Sequence, residues 1–173
     1  MTDPIFQITP ETIQAVGEFS INWSLFEKYY CKCFCNPKVI DEIDFSPYHE
    51  KIIPMIPKFK TSLAAWFEYQ NKEINDEGVK DILYTEKNEG SDYRTRIVSF
   101  LTSDSTSVVD CMLCVERLRN NLLHGEKEAF ELNRQRELIE TATSILYVLT
   151  NWSACMNAYY LAVKKSDGGT QAP

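Results

Sequence analysis

The stretch "LIETATSILYVLTNWSACMNAYYLAV", Leu138 to Val163, decides the fold class. Leu138, Ala142, Ile145, Leu149, Trp152, Met156, Tyr159 and Val163 recur at alternating steps of four and three. Such steps return to one stripe of an α-helix, so the segment predicts a long helix with a buried seam, packed in a bundle. No charged residue falls between Thr141 and Val163, a run long enough to span a bilayer. Thr143, Thr150 and Asn157 nevertheless recur every seven residues along one face. That pattern belongs to an amphipathic helix, not a lipid-facing one. Lys164 and Lys165 follow, favourably placed near the negative end of the helix dipole, and "KKSDGGTQAP" reads as a short disordered tail.

A second helix is written near the N-terminus. Thr9 can act as N-cap, Pro10 suits the first helical position, and Glu11 supplies an acidic first turn. Val16, Phe19, Trp23, Phe26, Tyr30 and Cys33 then form an apolar stripe. "CNPKV" is expected to stop it, because Pro37 disfavours helix at the residue before it. A third helix is expected from a cap at Asp104 or Ser105 to His124, with Gly125 where a left-handed C′ residue is wanted. Between the first and third, "DFSPYHEKIIPMIPKF" carries three prolines and reads as loop or short turns. "TSLAAWFEYQNKEI" reads as helix, "NDEGVKDILYTEKNEGSDY" as polar loop with room for one short helix, and "DYRTRIVSFL" as helix. The expected architecture is all-α: one bundle of four to five helices over 1–173, with its core in 9–165.

Bulk properties narrow the function. A chain of 173 residues is about one domain and can bury a sizeable core without disulfides or metal. The net charge of −7 excludes generic electrostatic attraction to nucleic acid, so any such role needs a local site. "MTDPIFQITPET" has neither a basic n-region nor an apolar h-region, which predicts a cytoplasmic protein. The six cysteines then read as reduced thiols. "CKCFC" (Cys31, Cys33, Cys35) and "CMLC" (Cys111, Cys114) fall in predicted helix without a compact metal-ligand spacing, and read as small buried hydrophobes. No metal and no cofactor is expected.

The chemistry concentrates in "ERLRNNLLHGEK", Glu116 to Lys127. On a wheel of about 100° per residue, Val108, Cys111, Met112, Val115, Leu118, Leu122 and Leu123 share one face. Arg119 falls in the middle of that face, and Arg117 falls opposite as a surface charge. A cation facing a core or interface needs a partner. An intramolecular carboxylate, a dimer interface or a bound phosphate would each serve. Glu27 and Asn22, flanking the first helix's stripe, are candidate polar neighbours. His124, at the helix end beside a glycine, can exchange protons near neutral pH. Arginine offers forked donors that match phosphate oxygens. Asn120, one turn before His124, can orient the ring or the phosphate. Together these suit metal-independent cleavage of RNA, in which the 2′-hydroxyl attacks the adjacent phosphorus.

"RNNLLHG" (Arg119 to Gly125) closely resembles the R-x4-6-H motif of the HEPN superfamily, in the variant with Asn directly after Arg. "NWSLFEKYY" (Asn22 to Tyr30) is similar to the aromatic-acidic opening helix of these domains. The segment 41–91 does not align. The resemblance implies an α-helical bundle that dimerises and brings two motifs into one cleft, and a ribonuclease of toxin–antitoxin or antiviral defence systems. It implies Arg119, Asn120 and His124 as the catalytic set, with Glu27, Asn22 and Asn121 in support. RNA, a second copy of the chain, and an antitoxin or regulatory protein are the implied partners. The charge-free C-terminal helix, with more apolar face than one small bundle buries, supports a dimer independently. The alternative is a module of the same type that binds nucleotide, RNA or protein without cleaving.

Overall fold

The computed structural model describes residues 7–84, 91–123 and 129–151. Among them there is no strand, and the chain is all-α. Five long helices, α1 (Pro10–Tyr30), α4 (Ile56–Tyr69), α6 (Ser91–Thr102), α7 (Val108–Leu123) and α8 (Ala129–Thr150), are joined by short α2 (Pro37–Asp41), α3 (His49–Ile52) and α5 (Asp76–Leu83). No helix among the described residues is long and apolar enough to cross a membrane.

Helix α1 begins as the sequence predicts: the Thr9 hydroxyl accepts from the Thr12 N–H, with Pro10 in the first turn. Its buried side is Phe19, Trp23 and Phe26. This side packs along α8, where Leu138, Ala142, Ile145 and Leu149 are all buried, as their spacing requires. The two helices run in the same sense. The Thr9 N–H donates to Asn133 Oδ1 at one end, and the Tyr30 hydroxyl donates to the Leu149 carbonyl at the other. The rest of the predicted seam, Trp152 to Val163, lies outside the described residues.

Three expectations are corrected. Helix α1 ends at Tyr30, well before Pro37. The N–H groups of Cys31 and Cys33 both turn back to the Glu27 carbonyl, and Lys32 and Cys33 take left-handed φ angles of 52° and 68°. Pro37 instead opens α2, capped by Asn36 Oδ1 accepting from the Val39 N–H. Cys33 and Cys35 therefore lie beyond the helix, and Cys33 is exposed. Second, the proline-rich stretch takes the short turns of its two expected forms, but its last residues, 56–59, already belong to the long helix α4. Pro47, Pro54 and Pro57 each sit in a first turn, where a missing N–H costs nothing. Third, α7 starts at Val108, capped by the Ser107 hydroxyl accepting from the Asp110 N–H. Lys60 holds the preceding turn open by donating to the carbonyls of Ser103 and Ser105 at 2.9 and 2.6 Å.

Helix α7 packs against α2, α5 and α6, so its whole circumference from Cys111 to Leu118 is buried. Arg96 fixes α2 against it: the guanidinium donates to Asp110 Oδ1 at 2.7 Å and to Asp41 Oδ1 at 2.8 Å. That clamp sets one wall of a cleft at the C-terminal half of α7.

Candidate functional site

The polar residues at the end of α7 form one connected chain. Arg119 Nη1 donates to Asn120 Oδ1 at 2.9 Å, and Asn120 Nδ2 donates to Glu116 Oε1 at 2.8 Å. Glu116 Oε2 lies 2.7 Å from Arg117 Nε, and the Arg117 guanidinium lies 4.5 Å from the centre of the Tyr84 ring. Arg119 and Asn120, placed together by the sequence reading, thus bond to each other directly. Asn120 also faces a cleft of about 610 Å³, whose other walls include Phe34, Lys38, Tyr84 and Tyr93.

Arg119 is half-buried. Its guanidinium is 5.9 Å from the Trp23 ring, and Nη2 is 3.8 Å from Glu27 Oε2. The latter distance gives charge attraction without a hydrogen bond. Arg119 Nε is shielded from solvent and has no acceptor among the described residues. Among the described residues the guanidinium thus has one hydrogen bond, to Asn120, and one loose ion pair, with Glu27, and a forked cation so placed has capacity left for an anion.

His124 and Gly125 lie outside the described residues. The supporting residues divide. Glu27 is beside Arg119, as expected. Asn22 is not at the motif: its side chain meets the Thr150 hydroxyl on α8 and borders a separate groove of about 600 Å³ with Glu18 and Ser144. Asn121 is buried and donates to the Ile82 carbonyl, tying α7 to the end of α5.

Arg117 corrects the wheel. It is 7% exposed, more buried than Arg119, because α7 has neighbours on every side. Its charge is met by Glu116, itself 4% exposed, and by the Tyr84 ring. The sequence reading missed Glu116 and Tyr84 in this role. Tyr84 follows α5 directly, in a stretch taken for loop, so no periodicity marked it. Burial pushes its hydroxyl up to about 12, the nearby Arg117 charge working in the opposite direction. Cys35, at the cleft edge, is raised by a hydrogen bond with Cys31, then by burial and the neighbouring carboxylates Glu116 and Glu27. Among the described residues, no group of three or more His, Cys, Asp or Glu is placed to hold a metal ion.

No family model, curated protein or solved structure matches the chain.

Proposed function

We propose that the protein is a metal-independent endoribonuclease of toxin or antiviral-defence type, acting as a homodimer. The observation that carries this reading is Arg119. Asn120 holds it at Nη1, Glu27 attracts Nη2 from 3.8 Å without bonding it, and Nε has no acceptor among the described residues. In this role the guanidinium neutralises the charge that develops on the phosphorane oxygens. His124 takes the proton of the ribose 2′-hydroxyl, and the freed oxygen attacks phosphorus. The P–O5′ bond breaks, and the departing 5′-oxygen takes a proton from water to leave as a hydroxyl, while the proton on His124 returns to solvent. The products are a 2′,3′-cyclic phosphate and a 5′-hydroxyl. An antitoxin or regulatory protein is the partner such an activity calls for.

The test is cleavage of mixed RNAs in excess EDTA by wild type, Arg119→Ala and His124→Ala. Cyclic-phosphate ends made only by wild type support the assignment, with a loss of about 10²-fold or more at His124. Equal cleavage by all three proteins defeats it. A second reading, a non-cleaving binding module, is favoured by the carboxylate of Glu27 beside Arg119. Glu27 weakens its pull on an anion.

A further inference from the structure

We infer that the cleft walled by Phe34, Tyr84, Tyr93, Asn120 and Lys38 holds one unstacked base of a single RNA strand. This inference rests on the ribonuclease reading and adds the form of RNA that the site accepts.

Four observations meet here. The first is size: about 610 Å³ lies within the roughly 300 to 1,000 Å³ of small-ligand pockets. The second is Phe34, an aromatic ring left 70% exposed at the rim of the cleft. It is presented by a turn in which its own N–H donates to the Cys31 carbonyl, and in which Lys32 and Cys33 both have left-handed backbones without being glycine. Non-glycine residues held in that region mark a turn whose shape is imposed by its surroundings. The result here is a flat apolar face presented to solvent.

The third is Tyr84, a residue of the cleft wall that is 7% exposed and whose buried hydroxyl meets no acceptor among the described residues. A buried donor of this kind is satisfied when a ligand brings an oxygen or ring nitrogen to it. The fourth is charge. Lys38 stands exposed at the mouth, and the cleft's own carboxylate, Glu116, is turned to Arg117 and Asn120.

A ligand that fits these walls is flat, carries hydrogen-bond acceptors on its ring, and has an attached anion. A nucleotide has all three properties. The cleft also joins the motif directly, because Asn120 both lines it and bonds Arg119. A strand with a phosphate at Arg119 thus has a place for a neighbouring base within the same polar chain. Stacking needs that base free of its helix, so duplex RNA does not fit.

The experiment uses 2′-O-methyl oligonucleotides, which lack the nucleophile and so report binding apart from cleavage. Fluorescence anisotropy is measured with the full chain against a single strand, the matching duplex, and a series carrying one abasic position moved along the strand. Wild type should prefer the single strand, and one abasic position should weaken binding about tenfold. Phe34→Ala should bind the intact strand about tenfold more weakly and lose its sensitivity to the abasic position. Tyr84→Phe, which keeps the ring, should weaken binding severalfold.

Equal affinity for duplex and single strand, or an unchanged Phe34→Ala, overturns the inference even if wild type cleaves RNA. Abasic sensitivity that vanishes in Phe34→Ala upholds the base site even if no RNA is cleaved, and then only the nuclease reading fails. Absence of binding by a folded wild type removes the inference outright.

Discussion

Arg119 on α7 stands 3.8 Å from Glu27 on α1, near enough for attraction and too far for a hydrogen bond. Both side chains keep partial solvent access, 30% and 23%, so the pair is worth less than about 1 kcal/mol. Glu27→Gln should therefore leave the unfolding midpoint nearly unchanged. It should also release Arg119 toward phosphate, lowering the KM for RNA severalfold with kcat little altered. A higher KM would assign Glu27 a positive part in holding the arginine.

Arg117 should behave in the opposite way. It and Glu116 are both buried, and removing one partner strands the other's charge in the core. Arg117→Ala should cost about 3 to 5 kcal/mol in denaturant unfolding. Arg119→Ala, at a half-buried position with a loose ion pair, should cost about 1 kcal/mol or less. That contrast would separate the two arginines, two residues apart, into one whose charge is locked by a buried partner and one held only loosely.

This contrast also shows what the sequence could reveal. The α1 cap at Thr9 and the α8 seam at Leu138, Ala142, Ile145 and Leu149 were legible, since both depend on interactions within or along one helix. The depth of Arg117 was not, because a wheel assumes a single buried side and α7 is enclosed by α2, α5 and α6. Its partner, adjacent in sequence, carries no periodic signal. The end of α1 was missed for a related reason. Lys32 and Cys33 adopt left-handed backbones where a glycine would have announced the stop. The cleft is drawn from residues far apart in sequence, 34–38, Tyr84, Tyr93, Glu116, Arg117 and Asn120, which only the tertiary packing brings together.

The thiols should divide by burial. Burial pushes the thiols of Cys111 and Cys114 up, so almost no thiolate forms near neutral pH, and reagents cannot reach them. Cys35 is raised as well, through Cys31. Cys33 is exposed. Iodoacetamide at pH 8 should label Cys33 within minutes and leave Cys111 and Cys114 unmodified until the chain is unfolded, as read by peptide mass mapping. Fast labelling of Cys111 under native conditions would mean that α7 opens far more readily than its packing implies.

Tyr84 adds an alkaline limit to stability. Its pKa in the folded chain is about 12, above the ordinary value of 10. The folded state thus favours the neutral phenol. That contribution is complete below pH 10 and is lost as pH rises from 10 to 12, where the unfolded chain ionises first. Unfolding free energies measured from pH 8 to 12 should fall less steeply for Tyr84→Phe than for wild type. Identical slopes would indicate that the ring ionises as freely in the folded chain as in the unfolded one.

The proposed homodimer has a natural face on α1. Ile13 and Ile21 are 60% and 64% exposed, eight positions apart on one side of the helix, and nothing lies within 4 Å of where a Cβ at Gly17 between them would stand. Tyr147 on α8 is likewise 62% exposed. A two-fold contact uses such a patch twice, so one substitution removes two copies of its burial. At about 1.5 kcal/mol or more per isoleucine, Ile21→Asp should raise the dimer dissociation constant about 100-fold or more. Because Ile21 touches solvent in the single chain, the unfolding midpoint of the monomer should not fall. Sedimentation velocity across micromolar concentrations measures both proteins. If the composite site is real, RNA cleavage per chain should drop in parallel with the dimer fraction. A wild type that sediments as a monomer and still cleaves would place the whole reaction within one chain.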